Sequence, residues 1–382
     1  MHLRAGILGA TGAVGQTFVR LLADHPWFEV AALGASERSA GQPYREATHW
    51  LSGTPMPERV ADVTVQACVP EAFAACDFVF SGLDSSVAGA IERAFAAAGL
   101  PVVSNAKNYR MQADVPLLVP EINPGHAALI ERQSWGASDP SGDGDAGDSL
   151  GAGDSSGAGD GFIVTNPNCS TVGLVCALAP LEAAFGIEAV QVVTMQALSG
   201  AGYPGVPSLD AVGNAVPYIG GEEEKMATEP RKILGTPGEN GGEIARADFT
   251  VSAQCNRVAV IDGHLEAVSL RLSERASSGG VKEALRAFRP AEAVRGLPSA
   301  PDEFIRVFEE ERFPQPRRHA GLGGGMTTSV GRVRPCAVMD VKLALLSHNT
   351  VRGAAGGAVL NAELLAEKGY LIPRAQRAEA DA

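Results

Sequence analysis

Residues 3–23 constrain the fold more than any other stretch. Leu3 to Leu8 is an apolar run of strand length, Gly9-Ala10-Thr11-Gly12-Ala13-Val14-Gly15 follows it, and Gln16 to Ala23 reads as a helix. Three glycines at three-residue spacing between a strand and a helix suit a dinucleotide pyrophosphate, which needs close backbone approach and amides at a helix N-terminus. Gly9, Thr11, Gly12, Ala13 and Val14 are the candidate cofactor contacts here; a tight turn without a ligand is the competing reading. The next apolar run, Phe28 to Leu33, ends without a carboxylate, in Gly34-Ala35-Ser36-Glu37-Arg38-Ser39. A carboxylate at that point takes the ribose hydroxyls of NAD, whereas Ser36, Arg38 and Ser39 offer donors to the 2′-phosphate of NADP. NADP is therefore the expected cofactor, with Glu37 able to take the NAD role if Arg38 turns away.

The alternation continues with a strand over 77–81, an alanine-rich helix over 85–98 and a strand over 100–104, a pattern that predicts a doubly wound parallel sheet. The loop Ser104-Asn105-Ala106-Lys107-Asn108-Tyr109-Arg110 leaves the carboxyl end of a strand, where such sheets bind ligands, so Lys107 or Arg110 is placed to meet an anion. Solvated loop charge is the alternative for both.

The stretch Thr165-Asn166-Pro167-Asn168-Cys169-Ser170-Thr171 stops an extended run at 162–164, turns at a proline and starts a helix expected over 172–185. Cys169 thus sits at a helix N-terminus, where unpaired amides and the helix dipole favour a thiolate and lower a thiol pKa. A buried structural cysteine is the competing reading. The other five cysteines, Cys68, Cys76, Cys176, Cys255 and Cys336, have no regular spacing and read as reduced thiols.

At 382 residues, 45% hydrophobic and 20% charged, the chain has the length of about two domains. A net charge of −13 argues against nucleic-acid binding, and no apolar run is long enough to span a membrane. The opening residues lead straight into a strand, so a cytoplasmic location is expected. Residues 137–161, almost all Gly, Ser, Asp and Ala, read as a flexible acidic insertion without chemistry. Beyond the Cys169 helix, extended runs over 187–198, 249–253, 258–261, 264–272 and 337–346 predict a mixed sheet. Between them lie the glycine-rich loop Ser199 to Gly205 and a helix entered through Gly221-Glu222-Glu223-Glu224-Lys225-Met226. A terminal helix ends near residue 368, and the tail after Tyr370 is polar and expected to fray.

Gly-Ala-Thr-Gly-Ala-Val-Gly at 9–15, Asn-Pro-Asn-Cys-Ser-Thr at 166–171, Glu-Glu-Glu-Lys at 222–225, Cys-Asn-Arg then Asp-Gly-His at 255–264, and Asn-Thr-Val-Arg-Gly-Ala-Ala at 349–355 occur in that order. Together they resemble the aspartate-semialdehyde dehydrogenase family, in the style of its archaeal and fungal branch, along nearly the whole chain. The resemblance implies an α/β protein with an N-terminal Rossmann domain (1–165, completed by a C-terminal helix over 348–368) and a mixed-sheet α+β catalytic and dimerisation domain (166–347). It implies a homodimer or homotetramer and NADPH-dependent reductive dephosphorylation of 4-phospho-L-aspartate to L-aspartate 4-semialdehyde, on the route to lysine, threonine and methionine.

The residues take roles by the same resemblance. Cys169 is the nucleophile that forms a thioester, and His264 the acid and base at the thiohemiacetal, with a pKa close to working pH. Arg257 holds the substrate α-carboxylate through a bidentate fork. Glu222 holds the α-ammonium, with Glu223 and Glu224 as competing registers, and Lys225 and Arg110 meet the phosphate. Gln196 bonds the substrate near the thioester, Ser199 and Gly200 line the nicotinamide, and Asn349 contacts its amide. Without the resemblance, Glu222 and Lys225 are a solvated i, i+3 ion pair and His264 an ordinary core histidine. His2, His25, His49, His126, His319 and His348 keep that ordinary reading. N-acetyl-γ-glutamyl-phosphate reductase, archaeal malonyl-CoA reductase and a catalytically silent NADP-binding regulator remain as alternatives; the first has no need of a carboxylate at Glu222.

Overall fold

A computed structural model describes residues 2–136, 161–238, 242–374 and 376. Two sheets organise the chain. The first holds β1 (Leu3–Leu8), β2 (Phe28–Ala35), β3 (Gln66–Ala67), β4 (Phe78–Ser81), β5 (Val102–Ser104) and β6 (Ile163–Thr165), all parallel, in the order β3-β2-β1-β4-β5-β6. Its central strands are apolar and buried on both faces, as a parallel sheet covered on both sides requires: Leu3, Ala5, Ile7, Phe78 and Phe80 on one face, and Leu8 and Val79 on the other, are all 0% exposed. Strand order reverses between β1 and β4, which opens a crevice at their carboxyl ends.

Gly9 follows β1 into that crevice with φ +76, and a Cβ there would come 2.8 Å from the carbonyl oxygen of Gly82, which follows β4. Only glycine fits both demands. Helix α1 (Ala13–Leu21) starts inside the glycine turn, three residues earlier than expected, because Gly12 serves as its N-cap and its N–H closes the turn on Gly9 O at 3.0 Å. Helix α2 (Ser85–Ala97) is capped by Asp84, whose carboxylate accepts the Ser86 N–H at 2.9 Å.

The second sheet has seven strands. They are β7 (Ile187–Gln196), β8 (Ala215–Val216), β11 (Thr250–Val258), β12 (His264–Leu272), β13 (Ile305–Val307), β14 (Thr328–Pro335) and β15 (Val341–Ser347), in the order β13-β14-β15-β12-β7-β11-β8; β9 (Thr236–Gly238) and β10 (Gly242–Ala245) form a separate pair. It is mixed as expected: β7 runs parallel to β11 and antiparallel to β12. The strands expected over 249–253 and 258–261 are one strand, β11, and Val260 and Ile261 lie in the turn beyond it, where their carbonyls accept the N–H groups of Leu198 and Ser199.

Helix α3 (Cys169–Phe185) is apolar on every side and lies against β7, β12, β14 and β15, with Leu174, Leu178 and Leu181 at 0% exposure. Each such leucine stabilises the fold by about 2 kcal/mol through burial. Helix α4 (Glu222–Ile233) packs on α3 and β11, and α5 (Ser278–Ala287) on α3. The terminal helix α6 (Gly356–Glu367) returns to the first sheet, where Ala358, Val359, Ala362 and Leu365 share a core with Leu3, Ile7 and Phe18. The stretch read as an acidic insertion lies, Gly161 apart, outside the described residues, as does most of the tail beyond residue 374. Among the described residues no helix is long and apolar enough to cross a membrane.

Candidate active site

Three adjacent strands end at one edge of the second sheet. Gln196 closes β7, Arg257 pairs with it from β11, and His264 opens β12. Helix α3 points its N-terminus there, delivering Cys169, and α4 delivers Glu222 and Lys225 from its own first turn. Asn168 explains why α3 begins where it does: its side-chain oxygen accepts the N–H groups of Ser170 (3.0 Å) and Thr171 (3.4 Å), so Cys169 becomes the first helical residue, ahead of the expected 172. The other half of the same amide donates to both oxygens of Glu222, at 3.0 and 2.9 Å.

Cys169 Sγ lies 3.2 Å from His264 Nε2. The backbone N–H of Ala197 donates to His264 Nδ1 at 3.1 Å, so Nδ1 is an acceptor and the neutral ring carries its proton on Nε2, aimed at the sulfur. Burial, with Arg257 and His348 adding to it, holds His264 down at about 3. Burial also pushes the Cys169 thiol up to about 12; Glu222 adds to the rise, and Arg110, Arg257 and Lys225 offset only part of it. The expected lowered thiol pKa and near-neutral histidine do not hold here. Desolvation outweighs the helix N-terminus and the three cations, and the pair is thiol and neutral imidazole.

Burial alone would raise the Glu222 carboxyl, but Lys225 and the bonds from Asn168 and Gln196 outweigh it and hold it below the usual carboxylate range. Lys225 Nζ bonds Glu222 Oε1 at 2.6 Å. Glu223 turns away to accept the N–H of Cys255 at 3.0 Å, and Glu224 is exposed, so of the three only Glu222 lines the cleft. Arg257 Nη1 donates to Ala197 O at 2.7 Å. Gly200 leaves room for this pair of side chains, since a Cβ there would meet Arg257 Nη1 at 2.9 Å and His264 Cε1 at 3.0 Å.

One cleft of about 620 Å³ takes in Cys169, Gln196, Glu222, Lys225, Arg257 and Arg110 together with Gly9, Thr11, Gly12, Ala13, Val14 and Ser36. Ser199, Gly200 and Asn349 are also on its wall, as is Lys107, while His264, 0% exposed, lies behind Cys169. Arg38 and Ser39 are not brought to it. Arg38 is exposed, and the Ser39 N–H closes a turn on Ser36 O at 2.9 Å, which leaves Ser36 as the one of the three facing the cleft. Asn349 spends both ends of its amide on the protein, accepting the Gly263 N–H at 2.9 Å and donating to Ser199 Oγ at 2.8 Å. Sequence reading passed over Asn168, legible as a cap before a helix, and Gly353, where a Cβ would come 2.8 Å from that of Cys169. Gly353 lies within the 349–355 motif, but nothing local in it signals contact with Cys169.

Residues 4–130 match the family model "Semialdehyde dehydrogenase, NAD binding domain", and 178–352 match "Semialdehyde dehydrogenase, dimerisation domain". The aspartate-semialdehyde dehydrogenase of Aspergillus fumigatus is 47% identical over 377 residues, covering 96% of this chain and 98% of the relative. The chain belongs to the aspartate-semialdehyde dehydrogenase family. The archaeal aspartate-semialdehyde dehydrogenase of Archaeoglobus fulgidus is 45% identical over 365 residues, with 96% and 98% covered. The crystal structure of the Candida albicans family member with NADP superposes with a TM-score of 0.84 at 46% identity, over 97% of this chain and 100% of that one. The more distant Vibrio cholerae family member of type II, complexed with ASA, gives a TM-score of 0.71 at 27% identity, over 96% of this chain and 98% of that one. The two-sheet architecture expected from the sequence is that of the family.

Proposed function

We propose that this chain catalyses the NADPH-dependent reductive dephosphorylation of 4-phospho-L-aspartate to L-aspartate 4-semialdehyde, reversibly, through a thioester on Cys169. The observation that carries the reading is the thiol 3.2 Å from a histidine N–H donor at a helix N-terminus, in one cleft with a glycine turn. Cys169 attacks the acyl carbon, the carbon–oxygen bond to phosphate breaks, and the thiol proton leaves with the phosphate. Glu222, held ionised, pairs with the substrate α-ammonium, which favours a free amino acid over an N-acetylated one. Arg257 takes the α-carboxylate, Lys225 and Arg110 the phosphate, and Gln196 a substrate oxygen near the thioester.

The glycine turn suits a pyrophosphate: Gly9 allows close approach, Ser36 faces the cleft at the end of β2, and no carboxylate does so there. The bound nicotinamide supplies the hydride equivalent that reduces the thioester. His264 Nε2–H then donates to the oxygen of the thiohemiacetal and to the departing sulfur, and the thiolate regains a proton from solvent. Asn349 holds Ser199 beside the cofactor space, with Gly200 next to it. The nucleotide domain comprises 1–165 with 348–368, and the catalytic domain 166–347. The enzyme acts in the cytoplasm as a homodimer or homotetramer, and its product feeds lysine (through diaminopimelate), threonine and methionine.

Following NADP reduction by purified protein with L-aspartate 4-semialdehyde tests this. Turnover is expected only when phosphate is added and is expected to vanish in Cys169→Ser. Turnover that ignores phosphate, or none from protein that binds NADP, contradicts the reading.

A further inference from the structure

Helix α4 carries more polar side chains on the stripe that begins with Glu222. Glu229, seven residues on and so on the same face, is 2% exposed. Its Oε1 accepts from Arg110 Nη1 at 2.9 Å and its Oε2 from the backbone N–H of Asn168 at 2.7 Å. One turn later Lys232, 3% exposed, donates from Nζ to three carbonyls of the loop that carries the arginine: Arg110 O (2.8 Å), Gln112 O (2.7 Å) and Val115 O (2.8 Å). Arg110 is itself 6% exposed, its Nη2 donates to Asn105 O at 2.7 Å, and its Nε has no hydrogen-bond partner among the described residues.

A buried arginine meets an anion well only if its planar fork is already oriented, because reorientation of a desolvated cation would precede each binding event. Here the guanidinium is tied through two of its nitrogens and its loop through three carbonyls, all but one of these ties from α4. We propose that Glu229, with Lys232 behind it, is a positioning residue that fixes Arg110 against Cys169 for binding phosphate; this rests on the role given to Arg110 above. The two oxygens of one carboxylate bind the anion ligand and the peptide N–H of the residue that caps the Cys169 helix. A buried carboxylate needs both oxygens satisfied, and here the second is satisfied by the N–H of the residue before Cys169.

The test compares wild type, Glu229→Gln, Arg110→Met and the double variant in phosphate-dependent NADP reduction with L-aspartate 4-semialdehyde, each first checked by thermal unfolding. Glu229→Gln is expected to raise the KM for inorganic phosphate about tenfold while leaving the KM values for semialdehyde and NADP within about twofold. Added to Arg110→Met, it is expected to change phosphate kcat/KM by less than about twofold, since both substitutions remove one function. An unchanged or lowered phosphate KM, equal losses for every substrate, or effects that multiply in the double variant would overturn the proposal. If Glu229→Gln does not fold, Glu229→Asp and Lys232→Gln must give the same phosphate-selective pattern, and its absence there overturns the proposal equally. Wild-type protein without phosphate-dependent turnover defeats the proposed function instead, whereas normal wild-type turnover with a flat phosphate KM defeats this proposal alone.

Discussion

Cys169 and His264 meet as two uncharged groups, and one backbone amide accounts for half of that. The Ala197 N–H occupies Nδ1 of the imidazole, so protonating the ring would set two N–H groups against each other. This suits a donor to sulfur and oxygen better than a group that cycles through imidazolium. It also has a thermodynamic signature. The ring stays neutral in the fold down to about 3, whereas the unfolded chain takes up the proton near 6.5, so below that pH the unfolded state binds more protons. Stability held above the unfolded pKa is therefore lost as pH falls toward the folded one. Between about pH 8 and about pH 5, wild type is expected to lose about 2 kcal/mol more of unfolding free energy than His264→Gln. Parallel losses in urea titrations of the two proteins would mean that His264 is charged in the fold.

At the scale of elements, α4 is the organiser of the cleft. Its successive turns place Glu222 at the Asn168 amide, Glu229 at Arg110 and Lys232 under the arginine loop, while Glu224 points to solvent. Glu222→Gln is accordingly expected to raise the KM for L-aspartate 4-semialdehyde about tenfold or more, against less than about twofold for Glu224→Gln. Equal effects, or a larger one at Glu224, would move the ammonium site. Much of this was legible in the sequence. Three-residue glycine spacing after an apolar strand, and a capping asparagine before an apolar helix, are local signals with local causes. What escaped depends on distant partners. β14 was missed because its pairing with β15 shifts register between Gly331 and Arg334, with Arg332 at φ 54, which blurs the two-residue alternation of a strand. Glu229 and Lys232 carry no local signal, because the loop that buries them lies more than a hundred residues earlier in the chain. The thiol and imidazole pKa values went the other way from expectation because a sequence displays a helix N-terminus but not the desolvation around it.

Over the whole molecule, the cleft lies where the two sheets are joined by the returning C-terminal segment. Asn166, at the end of β6, donates to Asn105 Oδ1 (2.8 Å) and to Ala354 O (2.9 Å), and Asn361 of α6 donates to its side-chain oxygen. Arg352 lies buried against Glu121 and over the Phe304 ring, and Gly353 beside it presses on Cys169. Cys169 is thus set by residues distant in the chain, and its position relative to the glycine turn belongs to the assembled fold. In the proposed reaction this position makes Cys169 the carrier of the acyl group. Mixing enzyme with L-aspartate 4-semialdehyde and NADP in the absence of phosphate, and reading NADPH in the first turnover, tests it most directly. The expected result is a burst equal to the concentration of active sites that then stalls, resumes when phosphate is added, and is absent from Cys169→Ser. Steady turnover without phosphate, or the same burst in the serine variant, would contradict it.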